Sequence, residues 1–478
     1  MSLLVELAWA MAMAGHAAAV ADPSAVVPPQ VWVDARSGDD AGGDGSADKP
    51  FRTLAKAFAI RARMEEPWIE VRLKVGTHAA GGAEPFPIRV PAGVRIVGNG
   101  AASTEWVGRA EEPVVVLPAS GRVAIESVTL RGGATGIVAA GAPGRLELDL
   151  VDVAVEEVEV GIDLTRAEGE FALRIDGLRT RARQTGLHAD AGAALALDVA
   201  RAWFNGGVEG LVLDAGRAAG SGPARSVALR DCRFDGAEGA GFVRRGAVGR
   251  EAEGAPFTFD RCEFRGSRIG LLFELPAGDV PVVARDCRFL ENLNFGLCVV
   301  GSGTPCEGES RFERCEFRWN GIGAQLLAAG RPLRLQDCRI EDSIGIGVTV
   351  GNFTGPKSSV TLERCVVACN GAAGILAVSE QPDGLVVRLD RCTVVDNRGH
   401  GIERRNRKFG GSDVKVARSI VVGHAQDMVK LEPADVAACH VGGEPGFVDR
   451  ARRDWRLLPD APARDAAGPL GAIAPGGS

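Results

Sequence analysis

The sequence predicts an all-β solenoid, a parallel β-helix with an α-helical cap at its N-terminal end. Three observations predict it. A short motif recurs, written "DCRF" at Asp231–Phe234, "RCEF" at Arg261–Phe264, "DCRF" at Asp286–Phe289, "RCEF" at Arg314–Phe317 and "DCRI" at Asp337–Ile340. Each copy lies within a longer line of alternating apolar and polar residues, such as "VALRDCRF" from Val227 or "LRLQDCRI" from Leu333, which is strand periodicity. Five residues after the motif cysteine stands Asn292, Asn320, Asn370 or Asn397, with Ser267 and Ser343 in the same place.

Related lines run from "LELDLVDV" at Leu146 to "VKVARSIV" at Val414. They follow one another at the roughly 20–50-residue period of a solenoid, whose units bury their apolar faces only by stacking. Within a unit, one alternating triplet, two polar residues, a second triplet, the Asn position, a Gly and a third apolar run describe three short strands per coil. A leucine-rich repeat would need an amphipathic helical segment, and none is apparent. Asn tolerates the left-handed backbone of a tight bend, and stacked Asn side chains hydrogen-bond from coil to coil. An inward Asn ladder is therefore expected.

Stacking also explains the sign changes around the cysteine. Equivalent residues of successive coils sit about 4.8 Å apart, where like charges repel and opposite charges attract. The residue before the cysteine runs Asp231, Arg261, Asp286, Arg314, Asp337, Arg364, and the one after runs Arg233, Glu263, Arg288, Glu316, Arg339. Each column alternates. Seven of the eleven cysteines occupy the fixed motif position and read as small core residues, since metal binding needs short Cys/His spacings. Cys298 and Cys306 are the candidates for a disulfide.

The chain has 478 residues with 55 Lys plus Arg against 62 Asp plus Glu. It lacks the concentrated basic face of a nucleic-acid binder, and nucleic acid is not an expected partner. Residues 1–21, mostly apolar and ending Ala19-Val20-Ala21, read as a signal peptide, with 22–30 as linker. The expected location is secreted, periplasmic or at the cell surface. No later stretch reaches the roughly 18–20 apolar residues of a membrane span. Residues 31–93 form the cap and first coil strands, 94–424 the β-helix repeats, and 425–478 a closing segment. The cap helix is expected on Thr53–Met64, with Phe51, Leu54, Ala57, Phe58 and Ala62 as its apolar stripe.

The segment "VDARSGDDAGGDGSADKPFRTLAKAFA", the later "VGTH" and "FPIRVPAGVRIVGNG" resemble the N-terminal module of exported bacterial right-handed β-helix proteins of the pectin-lyase-like superfamily. "EPGFVDRARRDWRLLPDAPARDAAG" resembles the closing segment of similar surface proteins. The resemblance implies a right-handed β-helix and, for the enzymes of the group, action on acidic polysaccharides with Ca²⁺ held by carboxylates and an Arg or Lys as base. It carries fold further than activity.

On outward positions of the first strand, one column runs Arg311, Arg334, Thr361, Arg388, Lys415 and another Glu313, Gln336, Glu363, Asp390. Arg334, Glu363, Arg388, Asp390 and Lys415 are the candidate catalytic residues, Glu363 and Asp390 the candidate Ca²⁺ ligands. The segments Gly351–Ser359 and Glu403–Asp413 are expected as flanking loops. An ion-paired, solvated strand surface is the competing interpretation. Arg311, Trp319 and Trp203 are candidate glycan contacts, Trp because aromatic rings stack on sugars. Gly399-His400-Gly401 matches by letters an element of polygalacturonase-like enzymes and nominates His400. Asp39, Asp40, Asp44 and Asp48 form an acidic loop that is open to either Ca²⁺ or turn chemistry. The expected function is binding or processing of a polysaccharide or cell-envelope glycan, including lyase-type β-elimination on uronic-acid polymers. The alternative is a non-catalytic surface scaffold; metal or cofactor delivery is a third class, opposed by sparse His. Oligomeric state is left open.

Overall fold

A computed structural model describes residues 28–464, apart from 64–67, 140, 142–143, 166–168, 191–193, 215–225, 246–255, 276–280, 302–307, 328–329, 354–356, 381–383 and 407–410. The expected signal peptide and Cys306 fall outside the described residues. Cys298 is buried, with its Sγ 4.0 Å from Gln325 Oε1.

Three short strands make each coil, for example Val282–Arg285, Arg288–Leu290 and Phe295–Gly301. Each pairs in parallel with its counterpart one coil on, as in Val283↔Arg311, Arg288↔Glu316 and Leu297↔Ala324. Parallel stacking without a gap buries one continuous apolar interior from Val31 to Val421. Phe204, Phe234, Phe264, Phe289 and Phe317 stack there with centroids 4.6–5.1 Å apart. The neighbouring column is cysteine: Cys232, Cys262, Cys287, Cys315, Cys338, Cys365 and Cys392 are all buried and unbridged. Burial pushes the Cys338, Cys365 and Cys392 thiols well above the ordinary range.

The charged residue before each cysteine turns the first bend, with φ of 53° at Asp231, 51° at Arg261, 52° at Asp286 and 51° at Arg314. Left-handed backbone is unfavourable for L-residues, and the bends add ion pairs between neighbouring coils. Arg261 grips Asp231 (2.7 and 2.9 Å), Arg314 grips Asp286 (2.7 and 2.8 Å) and Arg364 grips Asp337 (2.7 and 2.8 Å). These guanidiniums hold the three carboxyls below the ordinary carboxylate range.

The second bend corrects one expectation. The left-handed residue is the one before the Asn: Glu291, Trp319, Asp342, Cys369 and Asp396 have φ of 53–57°. The Asn itself points inward. Its Oδ1 accepts the backbone N–H of the ladder residue one coil earlier, as Asn320 does from Asn292 (3.0 Å) and Asn397 from Asn370 (3.0 Å). Its Nδ2 donates to a second-strand carbonyl, Phe289 for Asn320 (2.8 Å). Buried backbone donors must find acceptors, and the ladder supplies them. Just beyond, one glycine per coil stacks from Gly136 to Gly401. A Cβ on Gly296, Gly323, Gly347 or Gly374 would fall within 3.0 Å of the next glycine's carbonyl oxygen.

Helix α1 (Leu54–Arg61) is shorter than expected and caps the first coil with buried Leu54 and Ala57. Ala62 follows it and is exposed, while Phe58 and Ile60 pack partly buried against the core; Met64 lies outside the described residues. Thr53 Oγ1 accepts the Lys56 N–H (3.1 Å), and buried Glu84 accepts the Leu54 and Ala55 amides (2.7 and 3.1 Å). A carboxylate there satisfies open amides and opposes the helix dipole. Asp40 accepts from the Arg52 and Thr53 amides (2.8 and 3.1 Å). Asp39 and Asp44 accept the Ala41 and Ser46 amides (each 2.9 Å). The acidic loop thus makes turn hydrogen bonds that lead into the helix.

The parallel ladder continues past 424, through Gln426–Val429, Val436–Ala437 and His440–Val441. The chain then reverses in an antiparallel hairpin, Phe447–Asp449 with Asp454–Leu457, which lies on the outer second-strand face. Outward residues on that face switch from Arg339 to Val366, Thr393 and Ile420 where the hairpin covers them. Trp455 packs there at 5.2 Å from Phe447. Among the described residues no helix is long and apolar enough to cross a membrane.

Candidate functional site

The first-strand columns stand in register as the alternation requires: Arg311↔Arg334↔Thr361↔Arg388↔Lys415, beside Glu313↔Gln336↔Glu363↔Asp390. Period-two alternation sends both columns outward while Leu335, Leu362 and Leu389 enter the core. The flanking segments are less loop-like than expected. Strands occupy Val348–Asn352 and Ser358–Glu363 on one side, His400–Asn406 and Ser412–Ala417 on the other. Strand pairing has absorbed the ends of both stretches; residues 354–356 and 407–410 lie outside the described set.

Most charged members of the columns are held in ion pairs, largely with residues beside the columns. Arg311 pairs with Glu309 (2.8 Å), and Arg334 bridges Glu309 and Glu363 (each 3.1 Å). Glu363 also meets Arg364, and Asp390 is gripped through both oxygens by Arg418 (2.7 and 2.5 Å). Lys415 binds Asp435 (2.9 Å) and is pushed upward in pKa chiefly by that bond. Arg388 differs: it is exposed, and among the described residues it forms no ion pair. With Lys357, Ser358, Ser359, Gly330, Pro332 and Val386 it lines an open hollow of about 380 Å³. This lining contains two cations and two hydroxyls and no carboxylate.

The same face carries a second hollow that the alternating columns alone did not single out, lined by Trp68, Arg95, Arg122, Glu126, Asp149 and Arg174 among others. Here the charges are largely closed on each other, Arg95 with Glu126 (2.7 and 2.9 Å) and Arg122 with Asp149 (2.9 Å). Arg122 also lies 5.2 Å over the Trp68 ring.

Glu363 and Asp390 stand in register on adjacent coils. Their oxygens are engaged by guanidiniums, and among the described residues no group of three or more His, Cys, Asp or Glu is placed to hold a metal. His400 begins a third-strand element, away from the basic column, and makes no ion pair among the described residues; its Nδ1 is buried without a hydrogen-bond partner. The glycine after it has a packing reason, since a Cβ on Gly401 would collide with the Asp427 carbonyl. Trp203 lies on the second-strand face and donates to Asp235 (2.9 Å), while Trp319 turns the second bend with Arg318 4.4 Å over its ring. Neither tryptophan joins the first-strand column.

Residues 245–418 match the family described as a right handed beta helix region, and residues 36–137 match a family described as a protein of unknown function, DUF1565. Residues 245–418 thus carry a right-handed β-helix region, in keeping with the parallel coils of the fold. No curated protein matches its sequence. Among solved structures, this β-helix protein is similar to the periplasmic alginate epimerase AlgG, at 12% identity and TM-score 0.43, covering 82% of this chain and 88% of that one. The catalytic domain of a GH87 alpha-1,3-glucanase in complex with tetrasaccharides matches at 11% identity and TM-score 0.40, covering 87% and 70%. The A-module of the Azotobacter vinelandii mannuronan C-5 epimerase AlgE6 matches at 14% and 0.27, covering 82% and 94%. At these values the matches carry no statement about the β-helix protein's chemistry.

Proposed function

We propose that this is an exported polysaccharide-binding β-helix whose first-strand face holds an anionic glycan. The observation that carries the proposal is Arg388, a cation without a counter-ion among the described residues, beside Lys357 and two serines in an open hollow. It stands within a column whose other coils carry Arg311, Arg334, Thr361 and Lys415. On a chain of formal net charge −7, that local positive column supports selection for carboxylate- or sulfate-bearing sugars. Cations on four of these five coils suit a polymer that repeats its anion.

Binding is better supported than cleavage. β-Elimination needs a base that can accept the sugar C5 proton, and the bond to Asp435 shifts Lys415 towards its protonated form. The closed ion pairs of the remaining column favour a non-catalytic cell-surface or structural scaffold as the second interpretation. The test is affinity electrophoresis and calorimetry with polygalacturonate, alginate and a neutral glucan, with and without Ca²⁺, while assaying for unsaturated product. Binding of the two anionic polymers alone, reduced at least tenfold in Arg388→Ala and Lys357→Ala, is expected. Equal binding of the neutral glucan, or wild-type affinity in both variants, overturns the anionic proposal; unsaturated product would reinstate a lyase.

A further inference from the structure

The charge alternation at the first bend breaks in the last coils. From Arg201 through Asp231, Arg261, Asp286, Arg314 and Asp337 to Arg364 the sign changes at every step, but Arg391 and Arg418 follow. Three arginines therefore stand in succession, all in the left-handed bend, with φ of 52°, 54° and 49°. Their coils are stacked in register on both sides of the bend, through Glu363↔Asp390↔Ala417 and Val366↔Thr393↔Ile420. Like charges about 4.8 Å apart repel, and the earlier bends avoid that arrangement.

The middle arginine is the one left over. Arg261, Arg314 and Arg364 each have two partners, the bend aspartate one coil back and the carboxylate that precedes them in the chain. Arg261 takes Asp231 and Asp260, Arg314 takes Asp286 and Glu313, and Arg364 takes Asp337 and Glu363. For Arg391 the bend residue one coil back is Arg364, another cation. The carboxylate before it, Asp390, is gripped through both oxygens by Arg418 (2.7 and 2.5 Å), whose own preceding residue is Ala417. Arg391 is half-buried, and among the described residues it forms no ion pair and no side-chain hydrogen bond.

Arg388, the cation that carries the glycan-binding proposal, lies three residues earlier on the same coil. At about 3.3 Å per residue the two positions are about 10 Å apart along the strand direction. Arginines at this bend reach the outward first-strand column beside them, as Arg261 and Arg364 do with Asp260 and Glu363. Position 391 thus borders the same face as Arg388. We infer that Arg391 is a second anion-binding residue of the glycan face, taking one carboxylate or sulfate ester of the polymer while Arg388 takes another. A guanidinium fork accepts such a group through two parallel hydrogen bonds, and the bound anion would offset the repulsion within the arginine stack. This assignment rests on the anionic-glycan proposal and adds to it a contact across a single coil.

The measurement is calorimetric titration of the full chain with polygalacturonate, beside a melting curve for each variant. Arg391→Asn removes the cation, and asparagine tolerates the left-handed backbone. Arg398→Asn is the control. It removes one positive charge from the same coil at the second bend, where Arg398 is exposed and forms no ion pair among the described residues. Arg391→Asn is expected to weaken binding about tenfold, the size of one lost charge-assisted contact, and Arg398→Asn by about twofold or less. Arg391→Asp restores the alternation between Arg364 and Arg418; it is expected to bind at least as weakly as Arg391→Asn and to melt no lower than the wild type. Equal losses in Arg391→Asn and Arg398→Asn would reduce the effect to net charge and overturn the proposal. Melting of Arg391→Asp well below the wild type would also overturn it, by making Arg391 a structural residue. Binding lost in Arg388→Ala but kept in Arg391→Asn removes the second contact alone. No binding by the wild-type protein removes the anionic-glycan proposal and this contact with it.

Discussion

Asn320→Ala should cost far more than its size suggests. Asn320 is fully buried, and its Oδ1 accepts both the Asn292 backbone N–H (3.0 Å) and the Asn292 Nδ2–H (2.9 Å). Its own Nδ2 donates to Phe289 O (2.8 Å). Alanine removes three hydrogen bonds. The Asn292 side chain keeps Phe264 O (3.0 Å), but its backbone N–H is left buried without an acceptor, which costs about 1–3 kcal/mol. With the bond lost at Phe289, the expected destabilisation is about 2–4 kcal/mol. A solenoid can open locally, so a single global unfolding energy is a poor readout. The assay is amide exchange at Asn292 and its coil neighbours, with guanidinium unfolding alongside. The control is Arg265→Ala, which removes an exposed pair with Glu291 (2.9 Å) and should cost far less, as solvent-screened pairs do. If Asn320→Ala costs no more than Arg265→Ala, the ladder does not hold the bends.

Other consequences can be checked separately. Asp231, Asp286 and Asp337 have carboxyls lowered by their arginine partners, so their contribution is present above the unfolded carboxylate pKa of about 3.9 and is lost as pH falls further. A melting-temperature series should therefore drop below about pH 4, and Asp286→Asn together with Asp337→Asn should flatten that drop. The motif cysteines should resist a thiol reagent in native buffer and react on denaturation, with half-buried Cys369 and Cys439 reacting first; prompt modification of Cys338 or Cys365 by mass spectrometry would contradict their burial. Trp455→Ala should loosen the closing hairpin by about 3–5 kcal/mol, seen as protease cleavage between Val441 and Leu457 ahead of any coil; an unchanged cleavage pattern would show that the ring does not anchor it.

The winding was legible because two constraints repeat through the coils from Cys232 to Arg364. Cysteine and phenylalanine must fill the same interior volume, and charges at the first bend must alternate to stack. The Asn offset was equally informative about the ladder, although the left-handed turn belongs to its neighbour: the side chain cannot both point inward and make the bend's corner. The hairpin left a signal too, in the change from Arg339 to Val366 and Ile420 on an outward column, but what covers an apolar stripe is a long-range fact. At the candidate site, column membership followed from alternation. Which cation lacks a counter-ion did not, because Glu309, Arg418 and Asp435 reach the columns from positions outside them.

The hairpin has a consequence for how the molecule comes apart. It touches several windings at once, through Trp455 to Glu341 (3.4 Å), Arg453 to Asp342, and Arg450 to Asp396 (3.1 Å). A stack of coils otherwise frays from its free end one turn at a time, each loss exposing the next. Here the final turn is reached only after a strap tied several turns further back has let go. Unravelling from this end must begin with that strap, and the windings beneath it should then leave as one block.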